Sequence, residues 1–405
     1  MDNKPNFPDM PYINGLKIAT AKANIKYSNR TDLLCIFFTS PTQVSGVFTQ
    51  SLCPSAPVDH CRLSLPQGKA KALIVNSGNA NAFTGKKGYE SCQKIAETTA
   101  NLLNCKKEEI FLASTGVIGE PLDHNKITSQ LASLYQQSCE QTSDWHDAAK
   151  AIMTTDLFAK GVSKIIKTPQ GNIIINAIAK GAGMIAPNMA TMLCFIFTDA
   201  VIPNNISQKL LKELCDVTFN AITVDSDTST SDSVLFFSVG ENGVKITNEN
   251  DDIYSEFSLA LKEVMLDLAL KIVQDGEGAE KLIKIEVNGA KTTEEAKKVA
   301  FSIANSPLVK TAIAGEDANW GRVVMAVGKS GQTADRDKLA IYFGDHCVAE
   351  NGERSINYCE NTLSSYMKNK EITIKVNLNI GNSDFTVWTC DLTEEYIKIN
   401  ADYRS

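Results

Sequence analysis

Apolar and polar positions change rhythm repeatedly along this chain, and the changes predict alternating strands and helices. Short apolar runs at 71–75 (KALIV) and 110–113 (IFLA) read as buried strands. Between them Tyr89, Cys92, Ile95, Ala96, Ala100 and Leu103 recur at helical spacing, which predicts a helix over 87–104. Residues 125–153 read as mostly helical. Strands at 172–179 (NIIINAIA) and 192–198 (MLCFIFT) are joined by a loop containing glycine. The second half predicts helices over 205–221 and 254–274, a strand at 282–287 and a helix at 293–304. Strands then follow at 308–313, 338–343, 371–378 and 384–390. Such a mixture points to an α/β or α+β fold. No internal repeat, low-complexity tract or linker rich in Pro, Gly or Ser divides it.

At 405 residues the chain exceeds one ordinary core, which predicts two or three domains or one composite fold. Apolar residues make up 43% and charged residues 21%, as in a globular protein rather than a disordered one. A net charge of −7 without a basic stripe argues against a nucleic-acid partner. No stretch resembles a signal peptide or the ~20 apolar residues of a membrane span, so a soluble, cytoplasmic protein is expected. The eleven cysteines, scattered and without a CxxC pair, fit free thiols in a reducing cytosol. His60, His124, His146 and His346 are far apart and lack zinc or triad spacing. The run Asp225–Asp232 lacks the Gly and Glu of a calcium loop and reads as a hydrogen-bonding loop, with no metal expected. Asn76–Asn81 is open to two readings, a structural turn or a functional loop.

The chemically informative segment is KGAGMIAPNMATML, residues 180–193. Gly181 and Gly183 widen the backbone's choices, Pro187 narrows them, and small Ala190 leaves its carbonyl accessible. A Thr hydroxyl is a weak nucleophile and needs a neighbouring base. Were the bond before Thr191 broken, its own α-amine, with an ordinary pKa of roughly 7.7–8.0, would supply that base. Local composition alone favours a tight turn entering a strand. It also contains neither phosphate-binding glycine pattern.

The segment resembles the processing site of the bifunctional glutamate N-acetyltransferase/ornithine acetyltransferase family of arginine biosynthesis. The resemblance extends through VNSGNANAFTG (75–85), STGVIG (114–119), IMTTD (152–156), ITVDSDTSTSD (222–232), DGEGAEKL (275–282), SPLVKTAIAGEDANWGRV (306–323) and INADYRS (399–405). It implies self-cleavage between Ala190 and Thr191 into an alpha fragment, 1–190, and a beta fragment, 191–405, that remain associated. Thr191 would then carry acetyl from N-acetylornithine to glutamate. By the same resemblance Thr115 and Gly116 supply the oxyanion donors. Thr154, Lys180, Thr191, Glu277, Asn400 and Ser405 match the substrate-binding positions. Lys180 is expected to pair with the α-carboxylate and Glu277 with an ornithine amine.

The implied fold is a two-domain ornithine acetyltransferase/aminopeptidase type, with the nucleophile opening a central strand and the active site between the domains. The implied assembly is a heterotetramer of two alpha and two beta fragments, or larger. No cofactor is implied, although some members also take acetyl-CoA as donor. The chain departs from the family at 157–160 (LFAK), at Ser226, where the family has Gly, and at Ser231, where it has Asn. A self-cleaving aminopeptidase and a non-catalytic binding protein are the competing readings. Thr rather than Ser at 191, with Thr115 and Gly116 retained, disfavours both.

Overall fold

The computed structural model describes residues 5–142, 144–186, 192–250 and 252–401. They form two compact units. The first draws on the described residues of 1–184, 188–220 and 228–272, and the second on those of 185–187, 221–227 and 273–405.

The first unit holds an eight-stranded sheet. Its strands are β1 Leu16–Ala21, β2 Leu33–Phe48, β3 Lys69–Asn79, β4 Ile110–Val117, β5 Lys160–Thr168, β6 Gly171–Lys180, β7 Leu193–Thr198 and β8 Ser233–Ser238. The order is β4-β3-β2-β8-β7-β6-β5, with β1 on β2. Most strands are apolar without alternation because both faces are covered. Leu34, Ile36 and Phe38 of β2 enter one core with Trp145, Ala148 and Ala149 of the helix Trp145–Ala151. Leu33, Cys35 and Phe37 enter the opposite core with Ile95, Ala96, Leu131 and Leu134 of the helices Gly85–Leu103 and Leu131–Glu140. Phe197 of β7 stacks on Phe237 of β8, ring centroids 5.2 Å apart, and meets Trp145 at 5.3 Å.

β7 and β8 pair in parallel and lie between β6 and β2, each antiparallel to its outer neighbour. Residues on both sides of position 191 therefore share one sheet. The expected fragments, 1–190 and 191–405, do not coincide with the two compact units.

The second unit contains β9 Leu282–Ala290, β10 Ala340–Phe343, β11 His346–Glu350, β12 Glu353–Arg354, β13 Glu371–Asn377 and β14 Ser383–Cys390. Their order is β12-β11-β10-β13-β9-β14, parallel only between β13 and β9. Ile283, Ile285 and Val287 alternate with more exposed residues and meet Val299, Ala300 and Ile303 of the helix Thr293–Ala304. One prediction is overturned. Residues 308–313 belong to the helix Pro307–Ala314 instead of a strand. Pro307 occupies its first turn, where a missing N–H is harmless, and buried Val309, Ala312 and Ile313 follow a helical period. Six apolar-rich residues are too few for periodicity to separate the two states. β1, β2, β5, β8, β11 and β12 lie outside the predicted elements. Residues 125–153, predicted to be mostly helical, form three helices.

Candidate active site

Gly116 sits at the end of β4, opposite Gly78 of β3, where the parallel register slips. Its φ of +130° belongs to glycine's territory, and an added Cβ would lie 2.3 Å from the Gly78 carbonyl carbon. Thr115 beside it is buried, and among the described residues its hydroxyl has no hydrogen-bond partner. A rigid strand end thus presents a hydroxyl next to a glycine peptide, the parts an oxyanion site needs.

The Asn76–Asn81 segment supports that strand end structurally. Asn76 accepts from the Ser114 hydroxyl at 2.6 Å and donates to Asn79 O at 2.9 Å. Asn79 donates to Glu120 O and accepts from Asn81 N, while Asn81 donates to Gly88 O. These amides replace backbone partners lost where the strands stop, the role of a structural turn. Ser55 N donates to Thr230 O and Ala56 N to Asn81 O, so consecutive residues tie the loop before β8 to the loop after β3.

Thr154 and Lys180 are brought together by a residue to which sequence reasoning gave no role. Asp156 is wholly buried. Its Oδ1 accepts from Lys160 Nζ and Gly181 N, both at 2.7 Å, and its Oδ2 accepts from Thr154 N at 2.9 Å. Burial alone would push this carboxyl up. The Lys160 and Lys180 charges and the two peptide donors overcome it and hold the carboxyl well below the usual carboxylate range. Lys160 faces Ala179 in the β5–β6 hairpin, while Lys180 pairs with Leu193 at the start of β7. The segment carrying Thr154 is anchored further by Arg30, which donates to Met153 O and Thr154 O, and by Ser77 Oγ on Ala151 O. Ser77 is in turn the register partner of Thr115.

Asp232 was also missed, although it closes the quoted block 222–232. It is fully buried immediately before β8, and its Oδ1 accepts from Met192 N at 2.8 Å. Among the described residues its Oδ2 has no hydrogen-bond partner. Burial pushes this carboxyl far up, against the Met192 N–H and the Lys180 charge. Nothing in the letters of either block marks these aspartates as buried, because Gly181 N on Asp156 and Met192 N on Asp232 come from segments 25 and 40 residues away.

In the second unit Asn400 Nδ2 donates to Glu277 Oε2 at 2.8 Å, so two matched positions 123 residues apart meet. The Glu277 loop is held beneath the helix Glu394–Asn400 by Thr393 Oγ1 on Gly278 O at 2.6 Å. Asp391 Oδ1 accepts from Glu280 N and Lys281 N. Asp225 of the polar run accepts from Ile185 N and from the Tyr396 hydroxyl, and buried Lys310 donates to Val224 O at 2.8 Å. Ser226 has φ +67°, the left-handed region, which accounts for glycine at the corresponding family position. Ala190, Thr191 and Ser405 lie outside the described residues.

His60 is buried with Nε2 2.9 Å from Ile110 O, and burial lowers its pKa, as for a structural histidine. The eleven cysteines are free thiols. Among the described residues no helix is long and apolar enough to cross a membrane, and no group of His, Cys, Asp or Glu could hold a metal ion.

The ArgJ family model matches residues 17–405. The arginine biosynthesis bifunctional protein ArgJ of Brucella suis is 56% identical over 404 residues, covering 99% of this chain and 97% of its own length. That of Bartonella henselae is 55% identical over 401 residues, with coverages of 99% and 97%. A crystal structure of the Bacillus halodurans arginine biosynthesis bifunctional protein ArgJ is 41% identical. It aligns over 51% of this chain and 97% of that chain, with a TM-score of 0.49.

Proposed function

This chain belongs to the ArgJ family, the bifunctional enzymes of arginine biosynthesis, and from that premise we propose how its residues perform acetyl transfer. The enzyme is an acyltransferase that moves acetyl from N2-acetyl-L-ornithine to L-glutamate. In our reading the bond between Ala190 and Thr191 breaks first. The freed α-amine of Thr191 takes the proton from its own Oγ, and Oγ attacks the acetyl carbonyl. The Thr115 hydroxyl and the Gly116 N–H receive the developing oxyanion. Ornithine leaves with the proton, and glutamate then attacks the acetyl-Thr191 ester by the reverse path. Lys180 holds the α-carboxylate, Thr154 lines the same end of the substrate, and Glu277, Asn400 and Ser405 receive the other end.

The observation that supports this reading best is the chain of contacts at one end of the first unit. Thr115 is the register partner of Ser77, Ser77 anchors the Thr154 segment, and Asp156 joins that segment to Lys180. Lys180 then pairs with Leu193, two residues beyond the proposed nucleophile. The chemistry requires no resident cofactor. We further assign the enzyme to the cytoplasm and propose that the 1–190 and 191–405 fragments remain together, as two of each or a larger assembly.

A denaturing intact-mass spectrum before and after N-acetylornithine tests the proposal. The expected result is two fragments divided at Ala190–Thr191, with one acetyl group on 191–405 only. A parallel incubation with acetyl-CoA tests that compound as a second donor. An uncut chain that takes up no acetyl would defeat the catalytic reading. Cleavage without acetyl uptake would favour a hydrolase.

A further inference from the structure

The Asp156 carboxylate collects donors from three separate places: the loop after the helix Trp145–Ala151, the first residue of β5, and the residue that follows β6. Two of those places carry proposed substrate contacts. The peptide N–H on Oδ2 is that of Thr154 itself, and one on Oδ1 is that of Gly181, the residue joined to Lys180. One buried anion therefore fixes the backbone at both contacts and hence the spacing between them.

The chemistry of the hub is unusual for a purely structural tie. A buried ion pair is seldom worth more to stability than well-packed apolar residues of the same volume. Lys160 and Asp156 are nevertheless both wholly buried, and Lys160 also lies over the Phe158 ring at 4.8 Å. What such a pair supplies is geometry. A carboxylate with three charge-assisted bonds at 2.7–2.9 Å has little freedom to tilt, so its donors are held to one arrangement. It also remains an anion throughout the neutral range, so the arrangement does not loosen with pH.

We propose that Asp156, clamped by Lys160, is the positioning residue of the amino-acid site. It sets Thr154 and Lys180 at the separation that grips the end common to N-acetylornithine and glutamate. Asp156 does not touch substrate. This inference rests on the reading that Thr154 and Lys180 bind substrate. It adds a specific consequence: the two substrates share the hub, so damage to it weakens both by the same factor.

Asp156→Asn turns one accepting atom into a donor that faces either Thr154 N or the Lys160–Gly181 pair. The expected result is a rise in KM for N-acetylornithine and for glutamate together, about tenfold or more, with their ratio kept and kcat reduced less. Lys160→Met keeps both peptide N–H bonds and should raise both KM values by a smaller common factor. If Asp156→Asn does not fold or is not cut, Lys160→Met carries the test. Glu277→Gln is the contrast, expected to shift the two KM values unequally. A folded, cut Asp156→Asn enzyme with either KM unchanged overturns the inference, and so does an unchanged KM in Lys160→Met. Lys180→Met separates the two levels. If it raises both KM values while Asp156→Asn does not, the hub falls and the substrate reading stands. If Lys180→Met leaves both unchanged, the substrate reading falls first.

Discussion

Replacing Gly116 by alanine tests whether the close approach of β3 and β4 and the proposed oxyanion donor are one feature. The new methyl group would lie 2.3 Å from the Gly78 carbonyl carbon, 2.6 Å from Asn79 N and 2.7 Å from Gly78 Cα. All three are backbone atoms, so no side chain can rotate away. A φ of +130° adds strain of about 1–3 kcal/mol for a residue with a Cβ. Relief requires the strand ends to separate, which endangers the Ala80 N to Val117 O bond at 3.0 Å and the slipped pairing beside it, at about 1 kcal/mol per bond. The sum is a loss of about 3–5 kcal/mol. The 116 N–H would move with the strand, and loss of one oxyanion donor lowers kcat by about 10²–10³. Urea unfolding followed by tryptophan fluorescence reads the first quantity, and acetyl transfer from N-acetylornithine to glutamate reads the second. Thr115→Ala, which leaves the backbone alone, should lower kcat by a similar factor with little loss of stability. A Gly116→Ala protein within about 1 kcal/mol of the parent and equally active would refute the reasoning.

Two further outcomes follow from individual residues. Asp232→Asn keeps an oxygen for Met192 N but removes a buried carboxyl whose folded pKa is raised. That group favours the fold fully below the unfolded carboxylate pKa of ~3.9 and loses this contribution as pH rises toward its folded value. The variant should therefore gain stability relative to the parent as pH increases from about 4, by up to roughly 1.4 kcal/mol per pH unit. A difference in melting temperature that does not change with pH would exclude this. Ser226→Gly should stabilise the protein by about 1 kcal/mol by relieving a left-handed φ, and a lower melting temperature in that variant would count against the strain.

The sequence and the structure agree where a residue's partners are nearby in the chain. The helix predicted at 293–304 is found at Thr293–Ala304, because apolar spacing and the Thr292 cap are both local. The strand that carries Thr115 and Gly116 was legible for the same reason, but the two residues themselves were singled out only through resemblance to a family. The run 308–313 failed because its period is too short to read. β2 escaped prediction because its sixteen residues serve two neighbours, pairing β3 over the first half and β8 over the second. Asp156 and Asp232 were invisible as site residues for a different reason. Part of their environment comes from distant segments, the end of β6 for Asp156 and the start of β7 for Asp232, and one letter D does not distinguish a buried acceptor from a solvated charge. Lys180 and Glu277 were legible only through resemblance to a family.

The insertion of β7 and β8 between β2 and β6 also dictates an order of events in the life of the molecule. A piece ending at residue 190 would hold β2 and β6 without the two strands that join them, leaving two open edges that bear unpaired peptide groups and apolar faces. A piece beginning at 191 would hold β7 and β8 with nothing to cover Phe195, Phe197, Leu235 or Phe237. Either half made alone is a candidate for aggregation rather than reassembly. If the chain is cut between Ala190 and Thr191 as proposed, the cut must therefore follow folding, with both halves delivered as one polypeptide. Gene-splitting at this junction should yield insoluble halves.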